Sequence, residues 1–278
     1  MFYMRSAGIL MPITALPSPW GIGTLGMSAR SFLNFLVESG QTYWQLLPIG
    51  PTGFGDSPYQ PFSSYAGNPY FIDLDDLAEM GLLLPEEYQN LDWGPACACV
   101  DYGLLYQSRF QVLERAVDRL WARKEKSVQS FCEKEKDWLD DYALFMSLKD
   151  HFNGKPWQDW PDDLRRRKTE ALEQARKQSE GDIRFWKGVQ FLFFEQWDRL
   201  KNLAAEKGIS IIGDLPIYVA EDSADVWAHP EQFQMDAELH PTRVAGCPPD
   251  GFSADGQLWG NPLFHWERMK KDGYRWWM

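Results

Sequence analysis

The chain has 278 residues, 44% of them hydrophobic and 24% charged, with a formal net charge of −12. That balance excludes a disordered tail, a collagen-like chain and a small disulfide scaffold. Twenty-eight basic against forty acidic residues disfavour nucleic acid or an anionic membrane as partner, because phosphate backbones demand a basic face.

Residues 5–13 (RSAGILMPI) read as a buried parallel strand. The same region faintly mimics a signal peptide, but Pro12 interrupts the apolar run and no A-x-A pattern closes it. Ser28 is placed to cap an amphipathic helix with Phe32, Phe35 and Leu36 on one face, closed by Gly40. A second apolar run, Thr42 to Ile49, follows at once, completing a β-α-β unit with parallel strands.

From about 75 to 190 the pattern changes to long helical periods. Leu105, Phe110, Leu113, Val117 and Leu120 mark one stripe; Phe131, Trp138, Tyr142, Phe145 and Leu148 mark another. Phe185, Val189, Leu192, Phe193, Trp197, Leu200 and Leu203 mark the last, with Gly208 as its stop. Arg165, Arg166 and Arg167 sit in this solvated region and read as helix surface. A third apolar run, Ile209 to Ile212, leads into Asp214 and Pro216, and residues 244–263, with four Gly and three Pro, read as a long loop. The domain division expected is 1–74, 75–190 and 191–278. No run reaches about 18 apolar residues, so no transmembrane helix is expected.

Cys97, Cys99, Cys132 and Cys247 show no C-x-x-C spacing, so reduced thiols in a cytoplasmic protein are expected and a zinc site is not. GIGTLG (21–26) matches the dinucleotide fingerprint, and a nicotinamide oxidoreductase is one reading of it. Two features oppose it: seven residues separate the strand from the glycines, and the second strand ends in LLPIG without a carboxylate for a ribose.

The segments leaving the three strands carry Gly, Pro, Tyr, Trp and isolated carboxylates, on the rim where α/β proteins build their sites. Aromatic rings cover the apolar faces of pyranoses while carboxylates and amides bind hydroxyls, so the composition suits a sugar polymer. Most of the 14 Trp are expected in the core; Trp259, within the glycine-rich loop, is the exception. Asp214 is the sharpest single candidate, as a carboxylate ending a buried strand needs a partner or a ligand. Tyr59 and Ser57, in DSPYQ, follow. Asp56 reads equally as a turn residue, and Glu221 and Asp222 equally as caps of the following helix.

ILMPITALPSPWGIGTLG, GDSPYQPFSSYAGNPYFIDL, KPWQDWP, IIGDLPIYVAEDSADVWAHPEQF and CPPDGFSADGQLWGNPL together resemble the amylomaltases, or 4-α-glucanotransferases, from near Arg5 to the last residue. The resemblance implies a TIM-type (β/α)₈ barrel with a large helical insertion. It also implies a cytoplasmic, cofactor-free enzyme that moves α-1,4-glucan segments between maltooligosaccharides by retaining double displacement. Carried over by motif, Tyr59 would stack on the sugar beside the scissile bond, and Asp214 would orient that subsite. Asp250, Phe252 and Trp259 of the loop would touch the glucan, with Ser57 and Asn261 as lesser contacts.

The family nucleophile lies in an R-x-D-H segment, and none occurs in these residues. No catalytic residue is therefore expected in this chain, and Trp276 and Trp277 would be left on a frayed terminus. At roughly 30 residues per β/α unit, what remains outside the helical region and the loop supports about four units. The expectation is an incomplete barrel with about the first three strands. A non-catalytic α-glucan-binding protein is the alternative.

Overall fold

The computed structural model describes residues 5–94 and 99–278, so Cys97 lies outside the described residues. In chain order the elements are β1 (Gly8–Leu10), α1 (Met27–Glu38), β2 (Tyr43–Gln45), α2 (Leu74–Glu79), α3 (Tyr102–Lys134), α4 (Lys136–His151) and α5 (Asp162–Arg165). They continue with α6 (Thr169–Gln178), α7 (Glu180–Glu206), β3 (Ser210–Ile212), α8 (Ala224–Ala228), β4 (Val244–Cys247), β5 (Gln257–Pro262) and α9 (Trp266–Lys271).

These elements form two compact units, each assembled from three stretches of chain: 1–51, 67–136 and 184–215, and 52–66, 137–183 and 216–278. The consecutive division 1–74, 75–190, 191–278 does not coincide with them. The physical reason is burial: the apolar stripes of α3 and α7 join the same core as Leu33, Trp44 and Ile72.

In the first unit β1, β2 and β3 pair in parallel in that order, with Ile9 opposite Trp44 and Trp44 opposite Ile211. The strands are shorter than the apolar runs, and β1 and β3 are not buried: Leu10 and Ile212 are 51% and 43% exposed. The face of α1 that enters the core is Ala29, Leu33 and Leu36. Phe32 meets Trp44 edge-on at 5.0 Å, while Phe35 stays half exposed, contrary to the expected face. Nor does Ser28 cap this helix: Gly26 occupies the N-cap and the Ser28 hydroxyl donates to the Pro17 carbonyl.

Polar groups finish this core. Arg109, fully buried on α3, donates to the carbonyls of Ile72 (3.2 Å), Trp20 (3.3 Å) and Tyr70 (3.1 Å), and burial pulls its pKa down to about 10. Two glutamines on α7 clip the chain at two points each. Gln190 bonds the N–H and carbonyl of Gly67, and Gln196 those of Asp73. Buried backbone groups demand such partners.

The second unit is built around aromatics. Phe145 of α4 lies 5.5 Å from Trp160 and 5.9 Å from Trp227, and Trp157 is fully buried. The stripe drawn through Phe131 crosses a break, since α3 stops at Lys134 and the remaining four residues belong to α4. Buried Lys149 donates to the carbonyls of Gly154 and Lys155 and to Asp222 at 2.6 Å. Arg165 and Arg166 pair with Asp162 and Glu238, and Arg167 with Asp141. Trp276 and Trp277 are not frayed: their rings lie 5.5 Å and 5.1 Å from that of buried Phe264.

The segment 244–263 corrects another expectation. It is a β-hairpin, with β4 antiparallel to β5, Cys247 opposite Gln257 and an irregularity between Val244 and Gly246. Two of its four glycines serve close backbone approach: a Cβ would lie 2.4 Å from the Gln257 carbonyl oxygen at Gly246 and 2.5 Å from the Cys247 carbonyl oxygen at Gly256. No helix among the described residues is long and apolar enough to cross a membrane.

Candidate functional site

Six of the seven sequence-predicted site residues belong to the second unit, carried by the segment 57–60 and by the β4–β5 hairpin. The first segment is shaped by a left-handed pair, Gly55 and Asp56 (φ 73° and 55°), which makes Asp56 a turn residue. The Ser57 hydroxyl then accepts the Tyr59 N–H at 3.3 Å, and Gln60 donates its N–H to the Ser57 carbonyl at 3.2 Å. This tight turn leaves the Tyr59 side chain 45% exposed.

At the hairpin tip Asp250 accepts the N–H groups of Phe252 and Ser253, both at 2.8 Å, which closes the turn with a carboxylate. Phe252 projects from it 99% exposed, an orientation that no core packing explains. On β5, Trp259 is 43% exposed, donates its indole N–H to Gln257 at 2.8 Å and has Tyr218 at a ring distance of 6.2 Å. Burial increases along β5, so that Asn261 is 3% exposed. The Asn261 amide donates to the Val219 carbonyl (2.8 Å) and to Gln60 Oε1 (3.2 Å), and accepts from Gln60 Nε2 (2.9 Å).

Asp214 belongs to the first unit, two residues past β3. It is half-buried, and the strand it follows is open to solvent, so the burial that first singled it out is absent. Glu221 and Asp222 do not cap α8; the Ser223 hydroxyl does, accepting from Val226 N–H. Instead Glu221 accepts from Gln158, and Asp222 joins Lys149 to the Trp157 N–H, with burial pushing both carboxyls upward. Gln60 and Tyr218 were not singled out in the sequence. Their roles arise from cross-chain contacts that no periodicity announces, although Gln60 adjoins Tyr59 in the DSPYQ motif.

A cavity of about 560 Å³ in the second unit is lined by Tyr65, Trp138, Asp225, His229 and Trp276 among others, and by none of the seven candidates. Asp225 there is held by the Ser64 N–H at 2.8 Å, and burial raises its pKa to about 6.

The GIGTLG loop offers no seat for a dinucleotide. Its residues 22–26 are buried, and the Asp73 carboxylate fills the space at Gly26, where a Cβ would sit 2.1 Å from it. Thr24 donates to that same carboxylate at 2.5 Å, so an anion of the chain itself occupies the start of α1. Among the described residues no group of three or more His, Cys, Asp or Glu is arranged to hold a metal, and Cys99, Cys132 and Cys247 are not in disulfides.

Comparison with known proteins agrees with the motif pattern. The profile of the family described as 4-alpha-glucanotransferase matches residues 11–278. A 4-alpha-glucanotransferase of Thermus thermophilus is 49% identical over 278 residues, 99% of this chain and 55% of the relative. One from Clostridium butyricum is 47% identical over 269 residues, 96% of this chain and 55% of the relative. The chain thus spans about half the length of the curated relatives it matches. Among solved structures, amylomaltase from Streptococcus agalactiae in complex with acarbose superposes with a TM-score of 0.95 at 44% identity. That match covers 99% of this chain and 56% of the other. Amylomaltase from Corynebacterium glutamicum, at 21% identity and TM-score 0.74, covers 97% of this chain and 38% of the other and shares the fold.

Proposed function

Since this chain belongs to the 4-alpha-glucanotransferase family, we propose that it supplies glucan-contacting groups to an enzyme that transfers α-1,4-glucan segments between maltooligosaccharides. The observation that carries this reading is the set of open rings in one unit: Tyr59 on the 57–60 turn, and Phe252 and Trp259 on the hairpin. Exposed aromatic faces are costly in water and suit the apolar faces of pyranoses. Asp250 orients the tip that bears Phe252, and Asp214 and Ser57 remain candidate hydroxyl partners.

The transfer is retaining, which requires a pair of carboxylates about 5–5.5 Å apart flanking the scissile bond. We assign neither of them to these residues, because no R-x-D-H segment occurs in the sequence. The parallel order of β1, β2 and β3 supports reading them as successive strands of a (β/α)₈ barrel, with the helical region as its insertion. The net charge of −12 speaks against nucleic acid and anionic membranes, and cysteines outside disulfides suit the cytoplasm.

The test is titration of maltoheptaose into the 278-residue chain, alongside incubation with maltotriose. Saturable binding that weakens on replacing Phe252 or Trp259 by Ala, without formation of glucose and longer oligosaccharides, is the expected result. Absence of binding would overturn the reading. Disproportionation by the chain would overturn the assignment of the carboxylates.

A further inference from the structure

We propose that Gln60 and Asn261 form a positioning clasp that holds the Tyr59 turn and the Trp259 strand in fixed relation, and that Asn261 is not itself a sugar contact. The proposal rests on the glucan reading above for its purpose, and on geometry for its existence. The two side-chain amides bond reciprocally, Gln60 Nε2 to Asn261 Oδ1 at 2.9 Å and Asn261 Nδ2 to Gln60 Oε1 at 3.2 Å. The second N–H of Asn261 goes to the Val219 carbonyl at 2.8 Å.

Both donors of Asn261 and one acceptor position are thereby used, and the residue is 3% exposed, so its amide has no N–H left to offer a hydroxyl. Each end of the clasp is also held. The Gln60 backbone is gripped by the Ser57 carbonyl and lies so close to Gly53 that a Cβ there would stand 2.4 Å from the Gln60 carbonyl oxygen. Asn261 sits at the buried end of β5, two residues from the exposed indole of Trp259. Its other partner, Val219, follows Tyr218, whose ring neighbours Trp259.

Three segments that are 200 or so positions apart at their extremes, |i−j| being 201 for Gln60 and Asn261, are thus joined at one buried amide. A side chain that binds a flexible polymer gains little from rings that drift. Groups pre-set at their spacing lose less freedom on binding.

The experiment uses the 278-residue chain with maltoheptaose as probe and follows both affinity and backbone hydrogen exchange. Asn261→Ala and Gln60→Ala are each expected to weaken binding by about 3- to 10-fold, the range for having to immobilise one more side chain on binding. Exchange is expected to quicken in residues 57–60 and 257–262 together, while the amides of α4 keep their protection. The exchanged pair Gln60→Asn with Asn261→Gln conserves the amides and the summed reach, and is expected to recover binding to within about 3-fold of the parent.

Two results would overturn the clasp. One is single variants that leave both segments' exchange unchanged. The other is exchange that quickens uniformly through α4 and α8, which marks general destabilisation. Should the parent chain fail to bind maltoheptaose while the two segments still loosen together, the clasp stands as a joint and the glucan reading falls.

Discussion

Two glycine-bearing segments have opposite fates in this molecule. GIGTLG lies in the first unit and is buried from Ile22 to Gly26, packed against its own chain and the Asp73 carboxylate. VAGCPPDGFSADGQLWGNPL lies in the second unit and folds as a hairpin that leaves Phe252, Leu258 and Trp259 exposed. The difference lies in how many glycines are closely approached: all three of the first segment, but of the four in the second only Gly246 and Gly256. At Gly23 a Cβ would meet the Ile13 carbonyl oxygen at 1.8 Å, whereas at Gly251 it would meet nothing within 4 Å. Glycine in the first segment makes room for a closed core; in the second it lets a strand pair turn and present rings. A fingerprint of glycines therefore says little until the neighbours of the missing Cβ are known.

The largest effect separating the two is expected from paired alanine substitutions. Gly23→Ala should lower unfolding free energy by about 3 kcal/mol or abolish folding, whereas Gly251→Ala should stay within about 0.5 kcal/mol, as urea denaturation would show. A comparable loss from both would break the contrast.

Next comes Arg109→Met, which strips donors from the carbonyls of Trp20, Tyr70 and Ile72 around the first segment. A loss of about 2–3 kcal/mol is expected, since buried carbonyls are left unsatisfied. Chemical denaturation that shows a near-neutral effect would mean water replaces the guanidinium.

Asp250→Ala should cost only about 1 kcal/mol, because the turn it closes is in water. Its clearer signature is faster amide exchange at Phe252 and Ser253 and weaker maltoheptaose binding.

The smallest effect is a pH slope at the first segment. Burial raises the Asp73 carboxyl above its ordinary value of 3.8, with Thr24 and the Asp76 N–H partly opposing the shift. The folded state then holds this proton more tightly than the unfolded chain. Its contribution is fully present below 3.8 and is lost as pH rises through the raised value. Unfolding midpoints measured across that window should fall with pH in the parent and flatten in Asp73→Asn.

Much of the first unit was legible residue by residue. The β-α-β unit followed from two apolar runs flanking a segment closed by Gly40, and β1 and β2 do pair in parallel. Leu105, Leu113, Val117 and Leu120 of α3 enter the core as their spacing required. The misreadings share one cause, which is that a contact partner distant in sequence decided the outcome. Ser28 had the right type for a cap, but Gly26 can approach Asp73 where a side chain cannot. Glu221 and Asp222 had the right place for caps, yet Gln158, Trp157 and buried Lys149 claimed them.

The candidate site divides in the same way. Tyr59, Phe252 and Trp259 stand out by type and motif, and all three side chains are open to solvent. Asn261 was recognisable only as a polar residue in a conspicuous motif; that its amide is consumed by Gln60 and Val219 depends on segments 201 and 42 positions away.

By itself the sequence determined what local physics controls: helical stripes, the parallel β-α-β crossover, the acidic balance and the family motifs. Hydrophobic period and chain stiffness act over a few residues and are written there directly. Only the tertiary structure decided that 244–263 is a hairpin, that the fingerprint loop is closed by a carboxylate and that Asn261 joins two segments. Each of these is a pairing of polar groups across the chain, and the energy that selects it exists only once the core has brought the partners within about 3 Å.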